Sequence, residues 1–149
     1  MEERISSNIE RYAWLLIGRA RHIMLKARQK ELGPYEISPQ QAHVIDAIYY
    51  LGHKATLTEL AKDSDRGIAS ISALLTRLEK DGLVNKSREN RKSVLKKFDL
   101  TEKGTNAQEI ISKRLSIHKI MSVLSEEELR QLISVLQKII SSSEKYLVS

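Results

Sequence analysis

The fold is decided between Thr56 and Thr101, beginning Thr56-Leu57-Thr58-Glu59-Leu60-Ala61, turning over Ser64-Asp65-Arg66-Gly67, and running on through Ile68-Ala69-Ser70-Ile71-Ser72-Ala73-Leu74-Leu75-Thr76-Arg77-Leu78-Glu79-Lys80-Asp81 to Gly82-Leu83-Val84. Thr56 and Glu59 stand three apart ahead of an apolar pair, the spacing of a capping box, and open a short helix with Leu57, Leu60 and Ala61 inward. Ile68, Ile71, Leu74, Leu75 and Leu78 recur at steps of one helical turn and set a second helix. Asp81-Gly82 closes it, with glycine in the left-handed cap. Leu83 to Arg88 and Val94 to Leu100 have strand character and flank the polar turn Glu89-Asn90-Arg91-Lys92. Helix, tight turn, helix and basic hairpin in that order are the sequence form of a winged helix-turn-helix, and the partner it implies is duplex nucleic acid.

The second helix presents Ala69, Ser70, Ser72, Ala73, Thr76, Arg77 and Lys80 outward. A helix that enters the major groove needs one apolar side for packing and short or polar groups on the other. Ser70, Ser72 and Thr76 can approach base edges or phosphates, and Ala73 can meet a thymine methyl. Arg66, at the positive end of this helix, and Arg77 and Thr58 are suited to phosphates. The same face would also serve as an ordinary solvated surface. The hairpin tips the balance: between Lys86 and Lys97 lie Lys86, Arg88, Arg91, Lys92, Lys96 and Lys97 against one acid, Glu89. Lysine on an exposed edge blocks edge-to-edge pairing, which accounts for Lys96 and Lys97. It does not account for Arg91 and Lys92 at the tip, which together with Arg88 suit a narrow minor groove.

Outside this run the chain reads as amphipathic helix. Ile5, Ile9, Tyr12, Leu16, Ala20, Ile23 and Ala27 follow steps of three and four up to Leu32, with Trp14, Leu15 and Ile17 widening the apolar face, and Gly33-Pro34 stops the pattern. Ser38-Pro39-Gln40-Gln41 opens the next helix, with Ala42, Ile45, Ile48 and Tyr49 inward and Gly52 at its end. Thr101 caps a helix carrying Ala107, Ile110, Ile111, Leu115 and Met121. Ser125-Glu126-Glu127-Glu128 opens the last, with Leu129, Leu132, Ile133, Leu136, Ile139, Ile140 and Leu147 on one face. The expected architecture is therefore mainly α with a small β-hairpin wing, in one domain of 149 residues. Residues 34–104 form the winged-helix module. Residues 1–33 and 105–149 are helices with no sequence-local partner, which suits dimerisation with a second copy.

Composition narrows the chemistry. A net charge of +6 favours a polyanionic partner, weakly on its own. The chain has no cysteine, which excludes thiol redox sensing, disulfides and cysteine-ligated zinc. His22, His43, His53 and His118 lack the i, i+4 spacing of a helical metal pair, and no metal or other cofactor is expected. There is no glycine-rich phosphate loop, Gly-x-Ser-x-Gly elbow or His-Glu-x-x-His, so no enzyme is expected. No run approaches the roughly 18 apolar residues of a membrane span, and the charged start is not a secretory signal, so a cytoplasmic location is expected.

Thr58-Glu59-Leu60-Ala61, the frame Leu78-Glu79-Lys80-Asp81-Gly82-Leu83-Val84, and Leu100-Thr101-Glu102-Lys103-Gly104 resemble the MarR family of transcriptional regulators, and the resemblance extends over nearly the whole chain. It implies a homodimeric, winged-helix regulator bound to a pseudo-palindromic operator, more often a repressor, and often released by a small anionic or phenolic effector. It also implies an effector cleft between the dimer helices and the winged module, which Tyr12, His22, His43 and Tyr49 could line; each of these is equally a packing residue. The family's acid–arginine pair at the wing tip is missing here: by spacing from Thr101 the acid position falls on Lys92, leaving Arg91 the nearest inserting side chain. The rival expectation is a winged helix used as a protein–protein adaptor or a non-specific DNA-coating protein.

Overall fold

A computed structural model describes residues 8–52, 54–64, 66–87 and 96–149. The chain separates into two compact units, Met1–Arg114 and Leu115–Ser149.

Among the described residues the first element of the first unit is α1 (Ile9–Leu32), capped by Asn8, whose side chain accepts from the Arg11 amide at 3.0 Å; Ile5, read as part of the same helix, lies outside the described residues. A 3₁₀ turn, Gly33–Tyr35, ends it where the Gly-Pro signal falls. Then follow α2 (Pro39–Tyr50), β1 (Ala55–Thr56), α3 (Leu57–Ser64), α4 (Ile68–Lys80), β2 (Val84–Ser87), β3 (Lys97–Leu100) and α5 (Glu102–Ser112). The capping boxes expected at Ser38 and Thr56 form: the Ser38 hydroxyl accepts from the Gln41 amide and the Thr56 hydroxyl from the Glu59 amide, at 3.1 and 3.2 Å. Gly52 and Gly82 take φ of 83° and 76°, the left-handed region that glycine enters without strain. The sheet is antiparallel with β3 between β1 and β2. Its edge strand Ala55–Thr56 escapes a periodicity reading because two residues cannot show alternation.

The core joins α2, α3, α4, α5 and the sheet through Ile45, Ile48, Leu60, Ile71, Leu75, Leu78, Val84 and Ile111, each 1% exposed or less. Val44 also lies inside, while Tyr49, expected inward, is 41% exposed. Only the last part of α1 reaches this core, through Leu32 and Arg28. Trp14, Leu15, Leu16, Ile17 and Ile23 remain exposed.

One element differs from the sequence expectation. The helix capped by Thr101 does not run on to Met121: α5 stops at Ser112, and Arg114 takes φ 46°. A non-glycine residue there costs on the order of 1–2 kcal/mol. Polar contacts hold the break in place. The Arg114 guanidinium pairs with the Asp46 carboxylate of α2 and donates to the Ser112 carbonyl at 3.1 Å, while Gln108 Nε2 donates to Asp46 at 3.3 Å. Buried Arg28 of α1 donates to the Ile111 carbonyl at 3.0 Å and to Glu31 at 2.8 Å. Helical periodicity carries no trace of such long-range side-chain contacts.

The second unit comprises α6 (Leu115–Met121) and α7 (Glu126–Val148). The Ser125–Glu128 capping box forms as expected. No residue of α7 is buried, and its expected inward positions Ile133, Ile139, Ile140 and Leu147 are 41–80% exposed.

Candidate nucleic-acid interface

Three buried side chains, Ile71, Leu75 and Leu78, pin α4 to the core at steps of four and three. They leave Ala69, Ser70, Ser72, Ala73, Thr76, Arg77, Glu79 and Lys80 on the solvent side, as the periodicity requires. Ile68, expected inward, is 54% exposed: packing begins one turn later, at Ile71, and every described residue from Arg66 to Ser70 faces solvent. Gly67 caps α4 without a side-chain acceptor, so the positive end of the helix is left open beside Arg66.

Among the described residues the hydroxyls of Ser70 and Ser72 make no hydrogen bond. Thr76 Oγ1 donates to the Ser72 carbonyl at 3.0 Å, so what it can offer outward is a lone pair. The Arg77 Nε lies 3.8 Å from Asp81 Oδ2 on a side chain that is 74% exposed, a pairing that holds little energy in water and can be exchanged for a phosphate.

Thr58 of α3 meets Ser72 and Thr76, one turn apart on α4, in one groove of about 300 Å³ bounded by the start of α3, α4 and the sheet. Leu57, Leu75 and Phe98 line its apolar part; Glu79, Lys86 and Lys96 complete it. The sequence reading did not assign Lys86 or Lys96 to the site. Strand alternation carries the signal. Leu100 and Phe98 are buried, so Lys96 continues the same face. Lys86 lies two residues from buried Val84 and opposite Phe98. The sheet face that covers the core runs past its edge and ends in two lysines over the groove. Arg88, Arg91 and Lys92, the expected wing residues, lie outside the described residues, as does His53.

The four expected effector residues are not gathered here. On α1, Tyr12 is half-buried and His22 exposed. His43 points from α2 toward α3, its Nε2 3.4 Å from Asp63 Oδ2. Tyr49 stacks edge-on against Tyr50, with ring centroids 5.3 Å apart. Among the described residues no group of three or more histidines and carboxylates could hold a metal ion, and no helix is long and apolar enough to cross a membrane.

With this geometry in hand, residues 37–94 match the model of the MarR family. No curated protein matches the chain. The organohalide-sensing regulator RdhR-CbdbA1625, solved with 2,4-dichlorophenol bound, is similar over 90% of this chain and 80% of its own, with 26% identity and a TM-score of 0.80. A DNA complex of S. aureus MepR covers 88% of this chain and 95% of its own at 28% identity and a TM-score of 0.73. Apo MarR from E. coli shares the fold at 20% identity and a TM-score of 0.67, over 83% of this chain and 93% of its own.

Proposed function

We propose that the chain, whose residues 37–94 match the model of the MarR family, is a transcriptional regulator of that family rather than an enzyme, and that it acts as a homodimeric repressor that reads a pseudo-palindromic operator and is released by a small aromatic or anionic effector. The observation that carries the reading is the groove that joins Thr58, Ser72 and Thr76 to Lys86 and Lys96. It offers hydroxyls at the reading helix and fixed positive charge at its rim, the pairing of base-edge contact and phosphate contact that duplex recognition needs. Ser70, Ser72, Ala73 and Thr76 face the major groove in this reading, Thr58, Arg66 and Arg77 hold phosphates, and Arg88, Arg91 and Lys92 serve the wing.

Dimerisation is supported by the apolar side chains left uncovered on α1 and α7, among them Trp14 at 76% and Ile140 at 56% exposure, more than a solvated monomer ordinarily presents on two helices. In this arrangement residues 34–104 form the reading module and residues 1–33 and 105–149 the dimer region. The effector reading rests on the phenol held by the similar RdhR-CbdbA1625 and keeps Tyr12, His22, His43 and Tyr49 as its candidate residues.

The test is selection of bound duplex from a random pool by the full chain. An enriched palindrome supports both the operator and the dimer; uniform recovery points to non-specific coating, and no recovery to an adaptor. On the selected duplex, Arg66→Ala and Lys86→Ala should each lower affinity and flatten the dependence of log K on log salt by about one unit, the loss of one phosphate contact. An unchanged slope in either variant removes that residue from the interface. Phenols and salicylate-like anions should raise the melting temperature and weaken the complex; if they do neither, that effector class is excluded.

A further inference from the structure

The link from α4 to the sheet is three residues long, Asp81-Gly82-Leu83, and all three of its carbonyls are bonded by one short segment. Lys103 Nζ donates to the Asp81 carbonyl at 2.9 Å. Thr101 Oγ1 donates to the Gly82 carbonyl at 2.6 Å. The Thr101 amide donates to the Leu83 carbonyl at 3.1 Å. The same Thr101 oxygen then accepts from the Gly104 amide at 3.0 Å, capping α5. The amides of the link close the helix end, bonding back to the carbonyls of Arg77, Glu79 and Leu78. Its own carbonyls, which water would ordinarily satisfy in an exposed turn, are instead bonded by residues that follow β3 in the chain.

We propose that Thr101 is a positioning residue for DNA binding: through the Gly82 carbonyl it fixes the angle between the reading helix α4 and the wing strand β2, so that both engage one duplex at once. Three features make the angle depend on it. Gly82 sits at φ 76°, a conformation with no side chain to brace it. The link leaves no slack between the two elements, since Leu83 still bonds back to Leu78 at 2.9 Å while Val84 already pairs with Leu100. The side-chain oxygen of Thr101 bonds the link and α5 together, so one hydroxyl holds two elements. A site whose parts are a fraction of an ångström out of place loses much of its function without losing its fold. A short, rigid connection between two DNA-contacting elements magnifies such an error at their tips.

The inference rests on the DNA-binding reading above. It is tested on the full chain with the pool-selected duplex, by anisotropy at several salt concentrations well below the melting temperature. Thr101→Val keeps the shape of the side chain and removes both bonds; Thr101→Ser keeps both. The expected result is a five- to tenfold weaker complex for Thr101→Val, on the order of one lost hydrogen bond, with an unchanged salt slope and an unchanged helical circular dichroism spectrum, and recovery of most of the affinity in Thr101→Ser. A folded Thr101→Val that binds as tightly as the parent overturns the proposal, because a purely structural bond would lower only the melting temperature. A salt slope reduced by about one unit overturns it as well, since the residue would then act at a phosphate. If Thr101→Val does not fold, Thr101→Ala, which removes the same two hydroxyl bonds without a β-branched side chain at the cap, is judged by the same two readouts. A parent chain that binds no duplex refutes the DNA-binding reading instead, and is told apart by that control.

Discussion

Gly104→Ala is expected to destabilise the protein by about 3 kcal/mol or more, although in an exposed helix interior the same change gains about 1 kcal/mol. A Cβ on Gly104 would stand 2.0 Å from the Leu83 carbonyl oxygen and 3.1 Å from its carbon. Both are backbone atoms, so no side chain can swing aside. Relief requires α5 to lift from the α4–β2 link, which breaks the bond from the Thr101 amide to Leu83 and opens the packing of Ala107 and Ile111 behind it. Glycine serves here for close approach, not for backbone freedom: Gly104 is helical, and the positive φ belongs to Gly82. Thermal unfolding followed by circular dichroism checks this. Each kcal/mol is worth roughly 2–4 °C in a chain of this length, so a fall of at least about 6 °C is expected. A melting temperature equal to or above that of the parent would show that α5 shifts freely, and with it that its hold on the α4–β2 link is soft.

That glycine also shows what the sequence made legible and what it did not. Asp81-Gly82-Leu83-Val84 and Leu100-Thr101-Glu102-Lys103-Gly104 stand out as a paired frame in the primary structure, and three-dimensional contact supplies the cause, since the two halves bond directly to one another. Caps and periodicity are local, and they place the helices α2, α3, α4 and α7, though not which apolar side chains are covered: Tyr49, Ile68 and most of the apolar face of α7 stay exposed. Signals that depend on distant partners stayed hidden. Arg28 reads as one more cation on a charged helix, yet it is 9% exposed, and its guanidinium donates to the carbonyl of Ile111, 83 residues on. The break at Arg114 depends on Asp46 in the same way. At the candidate interface the reading helix was legible from its two faces. Lys86 and Lys96 were not: Lys96 had a sufficient local explanation in edge protection, Lys86 was counted only as one of the hairpin's basic residues, and the pairing of Lys86 with Phe98 is what brings it over the groove beside Lys96.

The second large effect is expected at that groove. Ser72→Glu should reduce affinity for the selected duplex by at least a hundredfold while leaving the melting temperature within about 2 °C of the parent. Ser72 is exposed, its hydroxyl bonds nothing among the described residues, and glutamate is a better helix former than serine, so the fold has little to lose. Function has much to lose. The new carboxylate would enter a groove shared with Thr58 and Thr76, already carrying Glu79, and would meet phosphate or base-edge acceptors with no solvent between. Like charges pressed together in an interface cost several kcal/mol, and a hundredfold is about 2.7 kcal/mol. Ser72→Ala separates the two roles of this position: with no charge introduced, it should alter which sequences are recovered from the pool and leave the salt slope as it was. Anisotropy titration with the selected duplex measures the first variant, and repeated selection the second. A Ser72→Glu protein that binds within threefold of the parent would mean that this face of α4 never reaches the duplex. The exposed hydroxyls would then be solvated surface, and the partner of the groove would have to be sought through its lysines alone.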